Sequence, residues 1–224
     1  MKRFLRDNGL TLAFGLLFLG SLVGQAIAGH AADSGERLVR GAAAESFWSY
    51  VGSADFVVDV AENWQSEYLQ FFLYIVVTVW LIQRGSPESK PPDRIGTESD
   101  RDQLVGAYAT DRSPRWAKVG GLRTRVYSVS LGLAMAVLFL LSWGVQSVAG
   151  TASHNQERLL AFQEPVSWSG YVLSADFWDR SLQNWQSEFL AIASMAALSV
   201  YLRQRGSPES KPVGAPHAVT DDSG

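Results

Sequence analysis

The sequence predicts an all-α membrane protein with four transmembrane helices, arranged as two parallel tandem-repeat hairpins that close into a four-helix bundle. Three observations lead there. Asn63-Trp64-Gln65-Ser66-Glu67 returns letter for letter as Asn184-Trp185-Gln186-Ser187-Glu188, a shift of 121 residues. The same shift carries Gln25 onto Gln146, Ser53-Ala54-Asp55-Phe56 onto Ser174-Ala175-Asp176-Phe177, and Arg84-Gly85-Ser86-Pro87-Glu88-Ser89-Lys90-Pro91 onto residues 205–212. Self-similarity at a fixed period marks a duplicated structural unit. Hydrophobic residues make up 47% and charged residues 18% of the chain, and the charges are largely excluded from four apolar runs that a bilayer would accept. Lysine and arginine, finally, are concentrated in alternate connections.

The first repeat is expected over residues 1–91. Lys2, Arg3 and Arg6 form a basic start before Gly9–Ala28, twenty residues whose only polar side chains are Thr11, Ser21 and Gln25. About 20 apolar residues suffice to cross the hydrocarbon as a helix. A cleaved signal peptide has the same outline, including Ala26-Ile27-Ala28 before Gly29. The repeat argues against cleavage, because the equivalent run 126–149 lies in mid-chain and closes in the similar Gln146-Ser147-Val148-Ala149-Gly150. Residues 30–52 read as a loop with a short helix at Glu36-Arg37-Leu38, matched by Glu157-Arg158-Leu159. Trp48, Tyr50, Trp168 and Tyr171 suit a membrane-interface belt.

Ser53 and Ser174 read as helix N-caps, with Asp55 and Asp176 at the positive end of the dipole. The strictly apolar parts beyond them are short, fifteen residues over 68–82 and fourteen over 189–202. At the helical rise these cover only about 21 to 23 Å, so the spans, expected at 64–83 and 185–202, must draw the repeated block into the outer edge of the bilayer. Both are predicted to stop alike, with Arg84 or Arg205 at the negative helix end, Gly85 or Gly206 as a left-handed cap, and Pro87 or Pro208 beyond. The shared continuation Pro-Glu-Ser-Lys-Pro exceeds what a stop requires. It admits a cytoplasmic contact, the alternative being an ordinary solvated turn.

Residues 92–125 read as a cytoplasmic basic linker. Arg112, Arg115, Lys118, Arg123 and Arg125, with Trp116 among them, predict an anchor for anionic lipid headgroups. The second repeat is expected over 126–212, with spans at 126–149 and 185–202. The tail 213–224 is predicted to be disordered, being rich in Gly, Pro and acidic residues without periodicity.

Lys plus Arg number three in residues 1–8, nine in 84–125 and three in 203–224, against two in 30–53 and one in 151–174. The positive-inside rule then places both termini and the linker in the cytoplasm. Two helices per repeat make the halves parallel repeats about an axis along the membrane normal. Gly15, Gly20, Gly24, Gly132 and Gly144 are available for close helix contacts.

On this topology Gln25 and Glu67 come to a similar depth near the outer leaflet. Asn63, Ser66, Glu67 and Gln70 share one helical face, and Asn184, Ser187 and Glu188 repeat most of it. The candidate site is therefore a polar ring of Gln25, Asn63, Ser66, Glu67, Gln146, Asn184, Ser187 and Glu188. Two readings stand side by side: a cation- or proton-binding vestibule, or interhelical hydrogen bonds that hold the hairpins in register. Trp64 and Trp185 fall off that face and read as belt anchors, and Gln65 also points elsewhere.

Other chemistry is poorly represented. With no cysteine, thiolate ligands and nucleophiles are excluded. His30, His154 and His217 are neither repeat-equivalent nor ligand-spaced, so neither a metal site nor a cofactor is expected. A net charge of −3 argues against nucleic acid as a partner. No phosphate loop, nucleophile elbow or zinc-protease motif occurs, and an enzyme is not expected. Asp176 and Arg180 are spaced for a surface ion pair.

The block Asn-Trp-Gln-Ser-Glu-(Tyr/Phe)-Leu, followed after an apolar span by Gln-Arg-Gly-Ser-Pro-Glu-Ser-Lys-Pro, resembles a family of uncharacterised bacterial membrane proteins known as a domain of unknown function. The resemblance covers both halves of the chain apart from the linker and tail. It implies a multi-pass bacterial plasma-membrane protein and brings no activity with it. The expected role is structural or partner-binding, with a small cation or proton channel or carrier as the alternative. A homo-oligomer or a membrane-protein partner is compatible with either.

Overall fold

The computed structural model describes residues 2–221, and every regular element among them is helical. In chain order these are α1 (Lys2–Asp7), α2 (Gly9–Val39), α3 (Phe47–Val51), α4 (Ala54–Val77), α5 (Arg115–Lys118), α6 (Gly121–Ser128), α7 (Ser130–Leu160), α8 (Trp168–Val172) and α9 (Ala175–Tyr201). Two of them, α2 and α7, are long and apolar enough to cross a membrane by length and composition. The chain divides into two compact units, Met1–Ala61 with Val145–Leu173 and Glu62–Gly144 with Ser174–Gly224. Helices α4 and α7 contribute residues to both.

Helix α2 does not stop where its apolar run stops. It continues for 31 residues to Val39, about 46 Å, and takes up the Glu36-Arg37 pair expected in a separate short helix. Alanines at 31 and 32 favour the extension, and Arg37 bonds Asp33 at 2.7 Å while Arg40 reaches Glu36 at 3.4 Å. Helix α7 runs equally long, to Leu160. It also starts later than expected, because α6 ends at Ser128 and the chain breaks at Val129. Ser128 and Ser130 donate to the carbonyls of Thr124 and Tyr127, a backbone competition that disfavours an uninterrupted helix.

In the first unit the turn-back from each long helix is built in the same way. Ser46 caps α3 by accepting from Ser49 N–H, and Ser167 caps α8 by accepting from Gly170 N–H. Each short helix then lays a tyrosine onto a glycine of the long one. A Cβ on Gly29 would collide with the Tyr50 hydroxyl, and one on Gly150 would lie 2.6 Å from that of Tyr171. Tyr50 packs with Phe56 and Ala26 in a small core flanked by Leu22, Phe47, Val51 and Val60. Ser53 and Ser174 act as the predicted N-caps, accepting from Phe56 N–H at 3.2 Å and Phe177 N–H at 3.3 Å.

In the second unit α4 and α9 end differently from each other. Helix α4 stops at Val77 rather than at residue 83. The β-branched run 75–79 is poorly suited to helix, and Thr78 turns its hydroxyl back onto the Tyr74 carbonyl at 2.5 Å. Arg84 therefore does not cap α4, a correction to the expected stop. Helix α9 reaches Tyr201, and its C-terminal cation is Arg203, which donates to the carbonyls of Ser199, Val200 and Leu202. Gly85 and Gly206 do adopt left-handed φ of 89° and 80°, but in the loops after the helices. Of the five glycines proposed for close helix contacts, Gly132 lies against Val76, whose Cγ2 would be 3.5 Å from an added Cβ. Gly15, Gly20, Gly24 and Gly144 have open space there among the described residues.

Gly29→Ala and Gly150→Ala are each expected to destabilise the protein by about 1–3 kcal/mol, the usual cost of overpacking. Tyr50→Phe in the Gly29→Ala background should recover part of the loss, since the hydroxyl makes the closest contact. Thermal unfolding of the detergent-solubilised variants measures both effects.

Candidate functional site

The ring residues fall in both units. In the first unit Gln146 is fully buried on α7, whereas Gln25 is exposed on α2. In the second unit α4 carries Asn63 and Glu67 exposed and Ser66 buried, and α9 carries Asn184 and Glu188 half-buried and Ser187 exposed. Ser66 donates its hydroxyl to the Asn63 carbonyl at 2.9 Å, and Ser187 to that of Asn184 at 2.8 Å. Asn184 donates its amide to the Arg180 carbonyl at 3.0 Å. These polar groups are thus engaged on their own helices, where such back-bonding satisfies a hydroxyl without reaching a neighbour. Glu67 and Glu188 come near enough for their charges to interact.

What joins α4 to α9 is a pair of contacts outside that set. Arg180 Nε lies 2.7 Å from Glu62 Oε2, an ion pair from α9 to α4 that helical spacing does not predict. One turn on, Trp185 Nε1 donates to Gln65 Oε1 at 2.8 Å, and Gln65 is completely buried. Trp185 is no belt anchor here. It sits within an aromatic cluster, tilted against Trp143 at 6.3 Å and edge-on to Trp178 at 6.2 Å between ring centroids. The repeat offers a reason why the second tryptophan is drawn inward. Trp143 and Trp178 stand where the first copy has Leu22 and Val57, so only the second copy surrounds its tryptophan with rings. Gln65 belongs to the repeated block and could have been flagged from sequence. Its burial could not, since Gln186 in the same place is exposed.

The two Arg-Gly-Ser-Pro-Glu-Ser-Lys-Pro segments fold as matching turns. Ser89 Oγ accepts from Gln83 N–H at 2.9 Å, and Ser210 Oγ from Gln204 N–H at 2.9 Å. Ser86 and Ser207 accept in turn from the N–H groups of Glu88 and Glu209. The lysines fasten the chain beyond each turn. Lys90 Nζ bonds the Gly96 carbonyl at 3.0 Å and pairs with Glu98, whose carboxyl it holds below the usual range. Lys211, 1% exposed, donates to the carbonyls of Pro216, His217 and Val219 at 3.3, 2.9 and 3.2 Å. Residues 213–221, for which composition predicts disorder, are tied further by Thr220 Oγ1, which accepts from Gly85 N–H at 2.9 Å. The rest of the tail for which disorder is expected, 222–224, lies outside the described residues.

Arg112, Arg115, Lys118, Arg123 and Arg125 are all exposed, four of them on the α5–α6 pair. That pair is clamped by buried Thr124, whose hydroxyl donates to the Trp116 carbonyl at 2.6 Å, and by the edge contact of Trp116 with Tyr127. Exposed Trp116, Val119 and Leu122 stand among the cations.

The family model described as Domain of unknown function (DUF6766) matches residues 1–222. No curated protein and no solved structure matches the chain.

Trp185→Phe should leave the buried Gln65 oxygen without its donor and cost about 1–3 kcal/mol. Adding Gln65→Leu should cost less than the sum of the single changes, a coupling that a double-mutant cycle in chemical denaturation reads directly. Lys211→Met should raise hydrogen exchange across residues 213–221 far more than Lys90→Met does across 92–98, because Lys211 holds three carbonyls out of solvent.

Proposed function

We propose that the chain, which belongs to the DUF6766 family, is a multi-pass integral plasma-membrane protein with a structural or partner-binding role rather than an enzymatic one. The observation that carries the membrane reading is the bare apolar surface of its longest helices: Leu10, Leu16 and Leu141 are 75%, 71% and 62% exposed. Side chains of this kind, over helices of 31 residues, suit a lipid surround. In this reading α4 and α9 supply the return crossings, giving four spans in two repeat hairpins. The excess of Lys and Arg in 84–125 over 30–53 puts both termini and the linker in the cytoplasm. The exposed cations of α5 and α6, interleaved with Trp116 and Leu122, then meet anionic headgroups at the inner surface.

Burial of Gly85, Ser86, Pro87 and Ser89 argues that the first repeated cytoplasmic turn serves the fold, whereas in the second only Ser210 and Lys211 are buried. A homo-oligomer or a membrane-protein partner has the second turn available to it, where Arg205, Gly206, Pro208 and Glu209 are exposed. The second reading, a cation or proton channel or carrier built on the polar ring, is favoured by one observation, the nearness of Glu67 to Glu188.

Single cysteines introduced into residues 91–110 are expected to resist a membrane-impermeant thiol reagent added outside intact cells. External labelling would reverse the topology. In proteoliposomes neither the wild type nor Glu67→Gln with Glu188→Gln is expected to pass protons or monovalent cations. Flux through the wild type that the double variant abolishes would install the channel reading in place of the structural one.

A further inference from the structure

The two Arg-Gly-Ser-Pro-Glu-Ser-Lys-Pro turns of the second unit carry the same residues, yet one is covered and the other is bare. At the first, Gly85 N–H donates to Thr220 Oγ1 at 2.9 Å, and Asp221 N–H donates to the Ser86 carbonyl at 3.3 Å. The His217 carbonyl and Val200 Cγ1 close over Gly85, where an added Cβ would collide with the first and lie 3.0 Å from the second. Gly85, Ser86 and Pro87 are buried in consequence. The first turn therefore acts as a receptor, and what it holds is the chain's own segment 217–221.

The second turn has the same backbone and lies open to solvent. Ser207 N–H donates to the Gln204 carbonyl at 3.2 Å, as Ser86 N–H does to that of Gln83 at 3.0 Å, and φ is 80° at Gly206 against 89° at Gly85. A Cβ on Gly206 would meet nothing within 4 Å. Among the described residues its N–H has no acceptor, and exposed Arg205 beside it has no carboxylate. The linker segment that corresponds to the tail is committed elsewhere. Gly96 N–H donates to the Val79 carbonyl at 2.8 Å, and Ser99, the counterpart of Thr220, bonds Asp102 at 2.6 Å.

We propose that the second turn docks an extended segment of a partner protein in which a serine or threonine precedes an aspartate, held as Thr220 and Asp221 are held at the first turn. The partner's hydroxyl oxygen accepts from Gly206 N–H. The N–H of its aspartate donates to the Ser207 carbonyl, which already accepts from Ser210 N–H at 3.2 Å and has a second lone pair to offer. With no Cβ at position 206 the partner's backbone can approach as the His217 carbonyl approaches Gly85. The charge of Arg205 favours an acidic segment, although a solvated pair of this kind adds little affinity. This docking rests on the partner-binding reading above and names the chemistry of the partner.

The full chain, isotopically labelled at its glycine nitrogens and held in phosphatidylcholine nanodiscs, is titrated with a synthetic peptide of residues 213–221 and followed by magnetic resonance. Nanodiscs expose both faces of the membrane, so a reversed topology leaves the result untouched and is recognised separately by cysteine labelling. Saturable movement of the Gly206 amide signal is expected, with Gly85 unchanged because the tethered tail outcompetes the peptide there. A peptide carrying Thr220→Val lacks the acceptor and should bind about fivefold more weakly, the worth of one hydrogen bond. Gly206→Asn tolerates the left-handed backbone but places a side chain where the segment lies, and should weaken binding about tenfold. If that variant fails to fold, the two peptides on the wild type still decide. No saturable shift at Gly206, movement of Gly85 alone, or equal affinity for the two peptides overturns the docking. A Gly206 signal that moves with protein concentration in the absence of peptide places a second copy of the chain on the turn and overturns the assignment to a separate partner.

Discussion

The contact of a tyrosine hydroxyl with a helix that has no side chain to obstruct it governs how the first unit folds. Tyr50 can sit where it does because position 29 is glycine, and Tyr171 because position 150 is glycine. Both tyrosines are buried, at 7% and 2% exposure, so each ring seals the place where a long helix is crossed by the short one after it. The chain between is tied locally. His30 reaches the Glu45 carbonyl at 2.7 Å, Arg37 pairs with Glu45, and in the other copy Asn155 exchanges two hydrogen bonds with the backbone of Val166. Different side chains thus perform the same closure. The tyrosine-on-glycine contact is the part held in common.

The second unit obeys another logic, in which identical letters meet unlike surroundings. Gln65 is buried and Gln186 exposed, and Lys211 is enclosed while Lys90 is 29% exposed at its side chain. A duplicated sequence supplies the same functional groups twice, but their environment depends on the residues that are not duplicated. Trp143 and Trp178 make a ring-lined space only on one side, and Arg180, which stands where the first copy has Asp59, makes an ion pair that the repeat cannot reproduce. The buried amide of Gln65 is compensated on one side: Trp185 meets its oxygen, while its Nε2 has no hydrogen-bond partner among the described residues.

Much of the helical order was legible in the sequence. The serine caps at 53 and 174, the left-handed glycines at 85 and 206 and the two long apolar helices all arise from local chemistry or hydropathy, which a single chain displays openly. The ends at Val77 and Val39 were not. The stop at Val77 depends on a β-branched run competing with an apolar one, and the extension to Val39 on ion pairs that form only once the helix does. The candidate site was legible in composition and illegible in direction. Helical spacing placed Asn63, Ser66 and Glu67 on a shared face, yet which face points to a neighbour is a tertiary matter, and Ser66 is turned inward together with Gln65 while Asn63 and Glu67 are exposed.

Approximate symmetry also brings like against like. Glu62 escapes this because its counterpart is Gln183 and its partner Arg180 is unique to the second copy. Glu88 and Glu209 do not escape, since the turn that carries them is the same in both copies and the lysine of each turn is committed to its own backbone. The hydrogen bond to Glu88 and the charge of Glu88 accordingly hold the Glu209 carboxyl above the ordinary carboxylate range, although Glu209 itself is exposed.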